Sequence, residues 1–286
     1  MTTIYRSEEG RRAVLDVYRG ILAAWPVANR QYHVPTSQGE TFVVESGDAS
    51  GPPLLLLHGS LSNSFTWYGD VVRLGERFRV FAVDLVGEAG LSSESRPDLC
   101  GDAYVRWMED VLDGLGLARC ALVGMSLGGW VALRFATVRP ERVDRLALLC
   151  PGGLAPQRRD FALRMRMRSL LDRGDRAKSV SGALGTDGAS GAEAEGMRRA
   201  MEYVMLIVAH EKPQRVLLPV FAEAEIARLA MPVLVVFGDR DALLDAKRSV
   251  RRVQRLLPHA QAVLLPGVGH AVLGQTERVF VFLTAG

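Results

Sequence analysis

The stretch ALVGMSLGGWVALRFA, residues 121–136, joins an apolar run to a helical pattern through a serine between two glycines. Its centre, GMSLG at 124–128, has the G-x-S-x-G spacing of a turn that exposes a serine hydroxyl at the carboxyl end of a strand. Glycines are needed because a side chain would collide across so tight a turn. An ordinary turn also fits these five residues, so the partners of the serine must decide. We predict that Ser126 is a nucleophile and that Met125 lines the substrate pocket beside it.

Apolar runs recur on both sides of this stretch, and helical patterns separate them. The runs are PLLLLHG (53–59), FRVFAVDL (78–85), CALVGMS (120–126), RLALLC (145–150), PVLVVFGD (232–239) and AVLLPG (262–267). They do not alternate with polar residues, which indicates strands buried on both faces of a mostly parallel sheet covered by helices. A hairpin precedes them, because YHVPTSQGETFVVES (32–46) alternates on both sides of a turn. The sequence therefore predicts an α/β fold.

Two segments stand apart from this alternation of strands and helices. Residues 151–221 contain no strand pattern, and about seventy residues are too many for an ordinary connection. We predict that they form a helical cap, inserted into a core made of residues 1–150 and 222–286. Within residues 1–30, the segment 8–24 has one apolar face, so we expect it to dock on that core as a helix.

The predicted cap begins with a basic stretch, QRRDFALRMRMRSLLDRGDRAK at 157–178, whose apolar residues fall on one helix face. The residues predicted to roof the substrate pocket are Leu163, Met167, Leu170 and Leu171. The basic side chains favour a solvated helix face, and a rim that attracts anionic substrates is the alternative. We expect the glycine-rich piece at 182–196 to be a mobile loop, although a plain surface linker fits equally well.

The charge balance and the cysteine content limit the kinds of molecule that the protein is expected to bind. The chain has 286 residues, and 35 Lys and Arg against 32 Asp and Glu give no overall attraction to nucleic acid or membrane. The N-terminal segment is charged and has no continuous apolar core, which argues against a secretory signal or a membrane span. The three cysteines are widely spaced, which argues against a disulfide framework and a zinc site. We therefore expect a cytoplasmic protein that binds a small molecule.

A serine hydroxyl needs an imidazole to take its proton and a carboxylate to orient that imidazole. On this type of fold the chain order is serine, acid, histidine. Three histidines follow Ser126. His210 lies at a helix end in the predicted cap, and His259 lies in a surface-like turn. His270 follows the last apolar run on a glycine-rich loop at the edge where Ser126 should emerge, so we predict that it is the base.

The acid should lie on a loop that ends a strand between the serine and the histidine. The segment VLVVFGDRDALLD (233–245) ends a strand and offers three aspartates. Asp239 is so close to the strand that it should serve the turn, and Asp245 should lie in the following helix. Asp241 has the reach, so we predict that it is the acid.

The negative oxygen of a tetrahedral intermediate needs two backbone N–H donors. One donor should be Leu127, the residue after the nucleophile, at the start of a helix. The other should come from the loop LLLLHGSLSNS (54–64), where the N–H of Ser60 can point inward. Leu61 is the close alternative and a predicted pocket residue. We expect His58 to brace this loop rather than to act as a second base.

With these residues in place, the chain resembles the α/β-hydrolase superfamily over nearly its whole length. Five motifs occur in the expected order: HGS (58–60), VDLVGEAGLS (83–92), GMSLGG (124–129), FGDRD (237–241) and GVGH (267–270). The segments AAWPV, LLHGSLSNSFTWY and MSLGG are similar to the bacterial carboxylesterase NP type, which cleaves carboxylic esters including arylpropionate esters. The resemblance implies that Ser126 is the nucleophile, Asp241 the acid and His270 the base.

One departure concerns the loop after the second parallel strand. Superfamily members commonly read D-x-x-G-x-G-x-S, whereas DLVGEAGLS (84–92) has one more residue between Gly87 and Gly90. This loop borders the site, so details of the substrate do not carry over from the superfamily. The turn at 124–128 is called the elbow below. A serine at its centre argues against membership of the haloalkane dehalogenases, which place an aspartate at that position.

The residues and the resemblance together predict a serine hydrolase that cleaves carboxylic esters of small to medium or aryl-bearing acyl groups through an acyl-enzyme. We expect no cofactor and no metal, and a chain that acts as a monomer or homodimer. The same residues would also support hydrolysis of a lactone, thioester, amide or carbon–carbon bond. A ligand-binding protein that has lost its activity on the same fold is a further alternative.

Overall fold

A single sheet of eight strands organises the part of the chain that the computed structural model describes, residues 3–158, 191–212 and 217–285. The strands are β1 (Asn29–Thr36), β2 (Gly39–Gly47), β3 (Pro53–Leu57), β4 (Arg79–Val83), β5 (Cys120–Met125), β6 (Val143–Leu149), β7 (Val233–Gly238) and β8 (Gln261–Leu265). Their spatial order is β1-β2-β4-β3-β5-β6-β7-β8. β2 pairs antiparallel with β1 and β4, and all other neighbours are parallel. The predicted α/β fold with a mostly parallel sheet is confirmed.

Helices follow most of the strands. In the described part they are α1 (Glu8–Ala23), α2 (Asp70–Leu74), α3 (Ala103–Gly114), α4 (Leu127–Val138), α5 (Gly191–His210), α6 (Glu223–Ile226), α7 (Ala246–Leu256) and α8 (Thr276–Thr284). α4 packs on β5, β6 and α3, whereas α8 packs on β6 and α2. No helix among the described residues is both long and apolar enough to cross a membrane.

The inner strands are buried over most of their length. The four residues Leu54–Leu57 of β3 are 0% exposed, β4 is buried after Arg79, and β6 is buried apart from Asp144 and Arg145. This burial explains why the sequence of these strands is a run of leucine and valine without polar alternation. α4 is buried in the same way, because ten of its twelve residues are inaccessible. The helix that follows the predicted nucleophile is therefore held firmly in the core.

The N-terminal helix α1 docks through one face, as the sequence predicts. Its first turn is capped by Ser7, whose hydroxyl accepts a hydrogen bond from the N–H of Gly10 at 3.0 Å. Val14, Tyr18 and Leu22 form its buried face. α1 packs against α5, so the N-terminal segment contacts a helix of the predicted cap.

The two ends of the inserted segment are fixed to the core by aromatic and arginine side chains. Phe221 packs on Trp130 of α4 with 5.7 Å between ring centroids, and the indole N–H of Trp130 donates to the carbonyl oxygen of Pro219 at 2.9 Å. Arg252 of α7 donates to the carbonyl oxygen of Leu154 at 2.9 Å. The insertion therefore leaves and re-enters the core at neighbouring points.

Several predictions for the cap concern residues that the structure does not describe. The predicted roof residues Leu163, Met167, Leu170 and Leu171 lie outside the described residues. Residues 191–196 are described and begin α5, so the expectation of a loop or linker across 182–196 is wrong for its last part. The alanines and glutamates of this part favour helix strongly enough to outweigh its glycines. The division into core and cap stays a prediction.

Candidate active site

Ser126 occupies the turn between β5 and α4, at the carboxyl end of the sheet. Its backbone has φ 50° and ψ −108°, a combination that residues with a Cβ rarely adopt. Its N–H donates to the carbonyl oxygen of Leu149 on β6 at 2.9 Å, and its carbonyl oxygen accepts from the N–H of Trp130 at 2.9 Å. A strand and a helix thus hold the strained residue in place.

Gly124 and Gly128 make this turn possible because backbone segments approach them closely. A Cβ at position 124 would overlap the carbonyl oxygen of Gly128. A Cβ at position 128 would overlap the carbonyl oxygens of Leu57 and His58. The N–H of Gly128 donates to the carbonyl oxygen of His58 at 3.0 Å. The elbow therefore packs directly against the end of β3. The loop that carries Ser60 and Leu61, called the predicted oxyanion loop below, begins there.

A continuous chain of hydrogen bonds runs from Ser126 to a buried carboxyl group. Ser126 Oγ lies 3.0 Å from His270 Nε2, and His270 Nδ1 lies 2.8 Å from Asp241 Oδ2. Because an ionised carboxylate only accepts hydrogen bonds, it selects the tautomer with the proton on Nδ1 and leaves the Nε2 lone pair facing the serine. The structure thus brings together the three predicted residues in an arrangement that can deprotonate the hydroxyl and stabilise an imidazolium.

The Asp241 side chain is oriented by backbone groups of its own loop. Its Oδ1 accepts hydrogen bonds from the N–H groups of Leu243 at 2.8 Å and Leu244 at 2.9 Å. These two bonds direct Oδ2 toward His270. The Asp241 side chain is 0% exposed and that of His270 is 12% exposed, so water competes little for the bond between them.

The two competing aspartates have other partners. Asp239 Oδ1 accepts from the N–H of Gly267 at 2.7 Å and so braces the loop that carries His270. Asp245 lies immediately before α7 rather than inside it, and its side chain caps the helix by accepting from the N–H of Arg248 at 3.1 Å. Neither is hydrogen-bonded to His270 within the described structure.

Three other histidines, His58, His210 and His259, have local packing contacts. His259 Nε2 lies 3.2 Å from the carbonyl oxygen of Met231, and His210 lies against Gly10 of α1. His58 is fully buried, and burial lowers its pKa so that the neutral ring is favoured. Its Nε2 accepts from the N–H of Leu85 at 2.8 Å, which ties the end of β3 to the end of β4.

The two N–H groups predicted as alternative oxyanion donors in the loop after β3, those of Ser60 and Leu61, differ in whether they are already engaged. Within the described residues, the N–H groups of Ser60 and Leu127 donate to no other protein group. The N–H of Leu61, by contrast, donates to Glu88 Oε2 at 2.7 Å. Of the two predicted alternatives in this loop, only Ser60 has an N–H available to act together with Leu127.

Sequence reasoning missed the role of Glu88. Its carboxyl group is buried, with the residue 3% exposed, in the loop that has one more residue than the superfamily pattern. The extra residue between Gly87 and Gly90 was the available signal. It marks a loop with a different course, but it does not indicate which group the loop contacts.

Asp84 is a second buried carboxylate near the site, and its hydrogen bonds link three segments of the chain. Its Oδ1 accepts from the hydroxyl of Tyr18 at 2.8 Å and from the N–H and hydroxyl of Ser64 at 2.9 and 2.7 Å. Its Oδ2 accepts from the N–H of Leu91 at 2.9 Å. One side chain thus joins α1, the loop after β3 and the loop after β4.

Helix α5 contacts the loop after β3 through Tyr203. The hydroxyl of Tyr203 accepts from Asn63 Nδ2 at 2.8 Å, and Asn63 also donates to the carbonyl oxygen of Ala89 at 2.7 Å. The ring of Tyr203 stacks on Tyr18 and packs edge-on against Phe65, with centroids 6.5 and 5.0 Å apart. The described helix of the insertion is therefore coupled to the predicted oxyanion loop.

A small cavity of about 30 Å³ lies between β5, α2 and α8. Met125 and Val272 line it, and these residues are close in sequence to Ser126 and His270. Its walls also include polar residues, among them Asp70, whose pKa is raised by burial, and Thr276, which donates a hydrogen bond to Asp70. Ser126, His270 and Leu61 do not line this cavity, so the roles of Met125 and Leu61 in a substrate pocket stay predictions.

The chain is similar to proteins named as carboxylesterases over more than nine-tenths of its length. A family model described as "Alpha/beta hydrolase family" matches residues 54–281. Carboxylesterase YbfK of Bacillus subtilis is 29% identical over 287 residues, which cover 95% of this chain and 93% of that protein. The uncharacterized carboxylesterase nap of the same organism is 26% identical over 293 residues, with coverages of 94% and 92%. The crystal structure of naproxen esterase (carboxylesterase NP) from Bacillus subtilis superposes with a TM-score of 0.82 at 26% identity, covering 97% of this chain and 99% of that one.

Proposed function

The chain belongs to the alpha/beta hydrolase family, and on that premise we propose that it is a serine carboxylesterase that cleaves esters through a covalent acyl-enzyme. Two relatives that align over more than nine-tenths of the chain carry the name carboxylesterase, and a naproxen esterase has the same fold. The predicted resemblance to the carboxylesterase NP type is confirmed by these comparisons.

In the proposed reaction, Ser126 Oγ attacks the carbonyl carbon of the ester while His270 Nε2 takes the hydroxyl proton. The N–H groups of Ser60 and Leu127 stabilise the oxygen that becomes negative. His270 then gives the proton to the leaving alcohol, and Asp241 stabilises the imidazolium that forms in between. Water attacks the acyl group on Ser126 in the same way, which releases the acid and restores the serine.

The observation that carries this proposal is the hydrogen-bonded series of Ser126, His270 and Asp241, with distances of 3.0 and 2.8 Å. Each member has the partner that its role needs. The serine has a base, the base has a carboxyl group that fixes its tautomer, and that carboxyl group is held by two backbone donors. A turn with a merely structural serine requires none of these contacts.

The test of the proposal is covalent chemistry at Ser126. We expect the purified protein to hydrolyse p-nitrophenyl acetate with an initial burst of about one p-nitrophenol per chain, because acylation precedes slower deacylation. A fluorophosphonate probe should label Ser126, as peptide mass spectrometry would identify. Ester binding without a burst and without labelling would indicate a ligand-binding protein on the hydrolase fold, and the proposal would be wrong.

We further propose that the substrate is an ester of a short to medium or aryl-bearing acyl group. An enclosed apolar pocket should give a peaked dependence on acyl chain length. Each methylene that fits should raise kcat/KM about fourfold, from roughly 0.8 kcal/mol of burial, and methylenes beyond the pocket should add nothing. Measuring kcat/KM for p-nitrophenyl esters from acetate to palmitate checks this expectation.

The same series distinguishes a closed pocket from an open groove. As a control, the long-chain esters are assayed below and above the concentration at which they aggregate. A rate that keeps rising to palmitate, or that jumps when aggregates form, would assign the protein to the lipases and contradict a cap that closes over the site.

A further inference from the structure

Glu88 is an acidic residue at the site that the reaction described above does not use. It lies in the loop after β4, and its carboxyl group is buried. Its hydrogen-bond partner is the N–H of Leu61, 27 residues earlier in the chain, at an N···O distance of 2.7 Å. A short bond from a backbone N–H to a buried carboxyl group is among the stronger polar contacts that a loop can make.

Leu61 needs such a contact because its backbone is strained. Its φ is 56°, in the left-handed region that disfavours a leucine. The N–H of Leu61 belongs to the peptide group that follows Ser60. Fixing the plane of that peptide restricts the backbone of Ser60 and therefore the direction of the Ser60 N–H. The orientation of the Ser60 N–H, the predicted oxyanion donor, thus depends on the hydrogen bond that the next residue, Leu61, makes to Glu88.

We propose that Glu88 is a positioning residue of the oxyanion hole, which holds the N–H of Leu61 so that the N–H of Ser60 points at the reacting carbonyl oxygen. The inference rests on the proposed esterase function and adds a residue to it. It also explains the extra residue between Gly87 and Gly90, because the longer loop brings a carboxyl group under the loop after β3. In this arrangement Leu61 fixes the conformation of the loop and does not itself supply an N–H group to the oxyanion hole.

The surroundings of Glu88 make its charge sensitive to pH. Burial raises the pKa of the Glu88 carboxyl to about 7, against the opposing effects of the hydrogen bond from the Leu61 N–H and of the nearby Arg96 guanidinium. Burial also raises the pKa of Glu211, and the charge of Glu88 raises it further. Arg96 is engaged with Glu211 at 2.9 Å, and burial, followed by the charge of Glu88, raises the pKa of the Tyr104 phenol on α3. Glu88 therefore has no ion pair of its own among the described residues.

The first test compares Glu88→Ala with Glu88→Gln. Alanine removes the acceptor, so we expect kcat per active site to fall roughly 10- to 100-fold with KM changed less than about twofold, because an oxyanion donor acts in the transition state. Glutamine keeps an acceptor oxygen and should recover part of this loss. Active sites are counted by complete fluorophosphonate titration, which removes the effect of misfolded protein.

A matched control separates positioning from stability. Glu45 is another mostly buried carboxylate, bonded to Arg79 at 2.7 Å and to the hydroxyl of Tyr32 at 2.9 Å on the antiparallel side of the sheet. Glu45→Ala should lower the thermal midpoint and leave kcat per active site unchanged. Affinity for a trifluoromethyl ketone, whose adduct carries a negative oxygen, should fall in Glu88→Ala in parallel with kcat and stay constant in Glu45→Ala.

A second test uses pH and does not depend on whether Glu88→Ala folds. An ionised carboxylate accepts a hydrogen bond more strongly than an amide, whereas a protonated carboxyl resembles one. The ratio of kcat for the unmodified protein to kcat for Glu88→Gln should therefore rise roughly threefold to tenfold as pH increases through neutrality. Taking the ratio removes the pH effects that the two proteins share.

The outcomes separate this inference from the proposed function. If the unmodified protein neither turns over esters nor reacts with the fluorophosphonate, the esterase proposal fails, and this inference fails with it. If the unmodified protein is active, and Glu88→Ala has normal kcat per site or the pH ratio stays at one throughout, the esterase proposal stands and the positioning role of Glu88 is wrong.

Discussion

Replacing Ser126 by alanine is expected to lower kcat/KM for p-nitrophenyl acetate by roughly 10⁴-fold or more and to leave the fold intact. The change removes the Oγ atom that lies 3.0 Å from His270 Nε2, so the covalent route is lost. The free N–H groups of Ser60 and Leu127 remain, and they should support a small residual rate. Steady-state kinetics and circular dichroism of the variant check both halves of the expectation.

Ser46 offers a matched control for the loss of a buried hydroxyl. It is 5% exposed on β2, and its hydroxyl has no hydrogen-bond partner in the part of the chain that the structure describes. Ser46→Ala should therefore keep full activity and full labelling by a fluorophosphonate. If Ser126→Ala retained a burst of p-nitrophenol, another residue would be the nucleophile and the assignment of the site would be wrong.

Replacing Asp241 by asparagine should lower kcat by up to about 10⁴-fold, because it reverses the tautomer of His270. The N–H groups of Leu243 and Leu244 require an acceptor, so the amide oxygen of asparagine must face them. Its NH₂ group must then face Nδ1 of His270. A donor at that position forces the ring proton onto Nε2, where it blocks transfer from the Ser126 hydroxyl.

Asp239→Asn and Asp245→Asn are matched controls for this substitution. Each keeps an oxygen that can accept from the backbone, from Gly267 in one case and Arg248 in the other. Both variants should retain kcat within about tenfold of the unmodified protein, since surface changes of this kind are usually small in energy. If Asp239→Asn were as damaging as Asp241→Asn, the loop would present a different acid, although the mechanism would remain.

The sequence was sufficient for features that depend on local pattern and chain order. Runs of leucine and valine without polar alternation identify the inner strands because both faces of these strands are largely buried. The spacing of the elbow identifies Ser126, and the order of elements leaves few candidates for its partners. The choice among three aspartates followed from distance along the chain, since one is nearest the strand and one begins a helix.

Contacts between distant loops could not be predicted in this way. The bond between Glu88 and Leu61 depends on how two loops pack, and no periodicity encodes it. The contact of Tyr203 with Asn63 spans 140 residues and depends on the path of the insertion. The start of α5 was missed for a different reason, because glycine content suggested a loop where alanine and glutamate favoured a helix.

The strained backbone of Ser126 has a consequence for laboratory evolution. Its φ of 50° costs about 1–3 kcal/mol in a residue with a Cβ, and a glycine would avoid much of that cost. A selection for heat resistance alone would thus reward loss of the nucleophile. The same holds, more weakly, at Leu61 with φ 56°. Libraries screened for thermal tolerance would need a turnover screen in every round, because stability and catalysis compete at these positions.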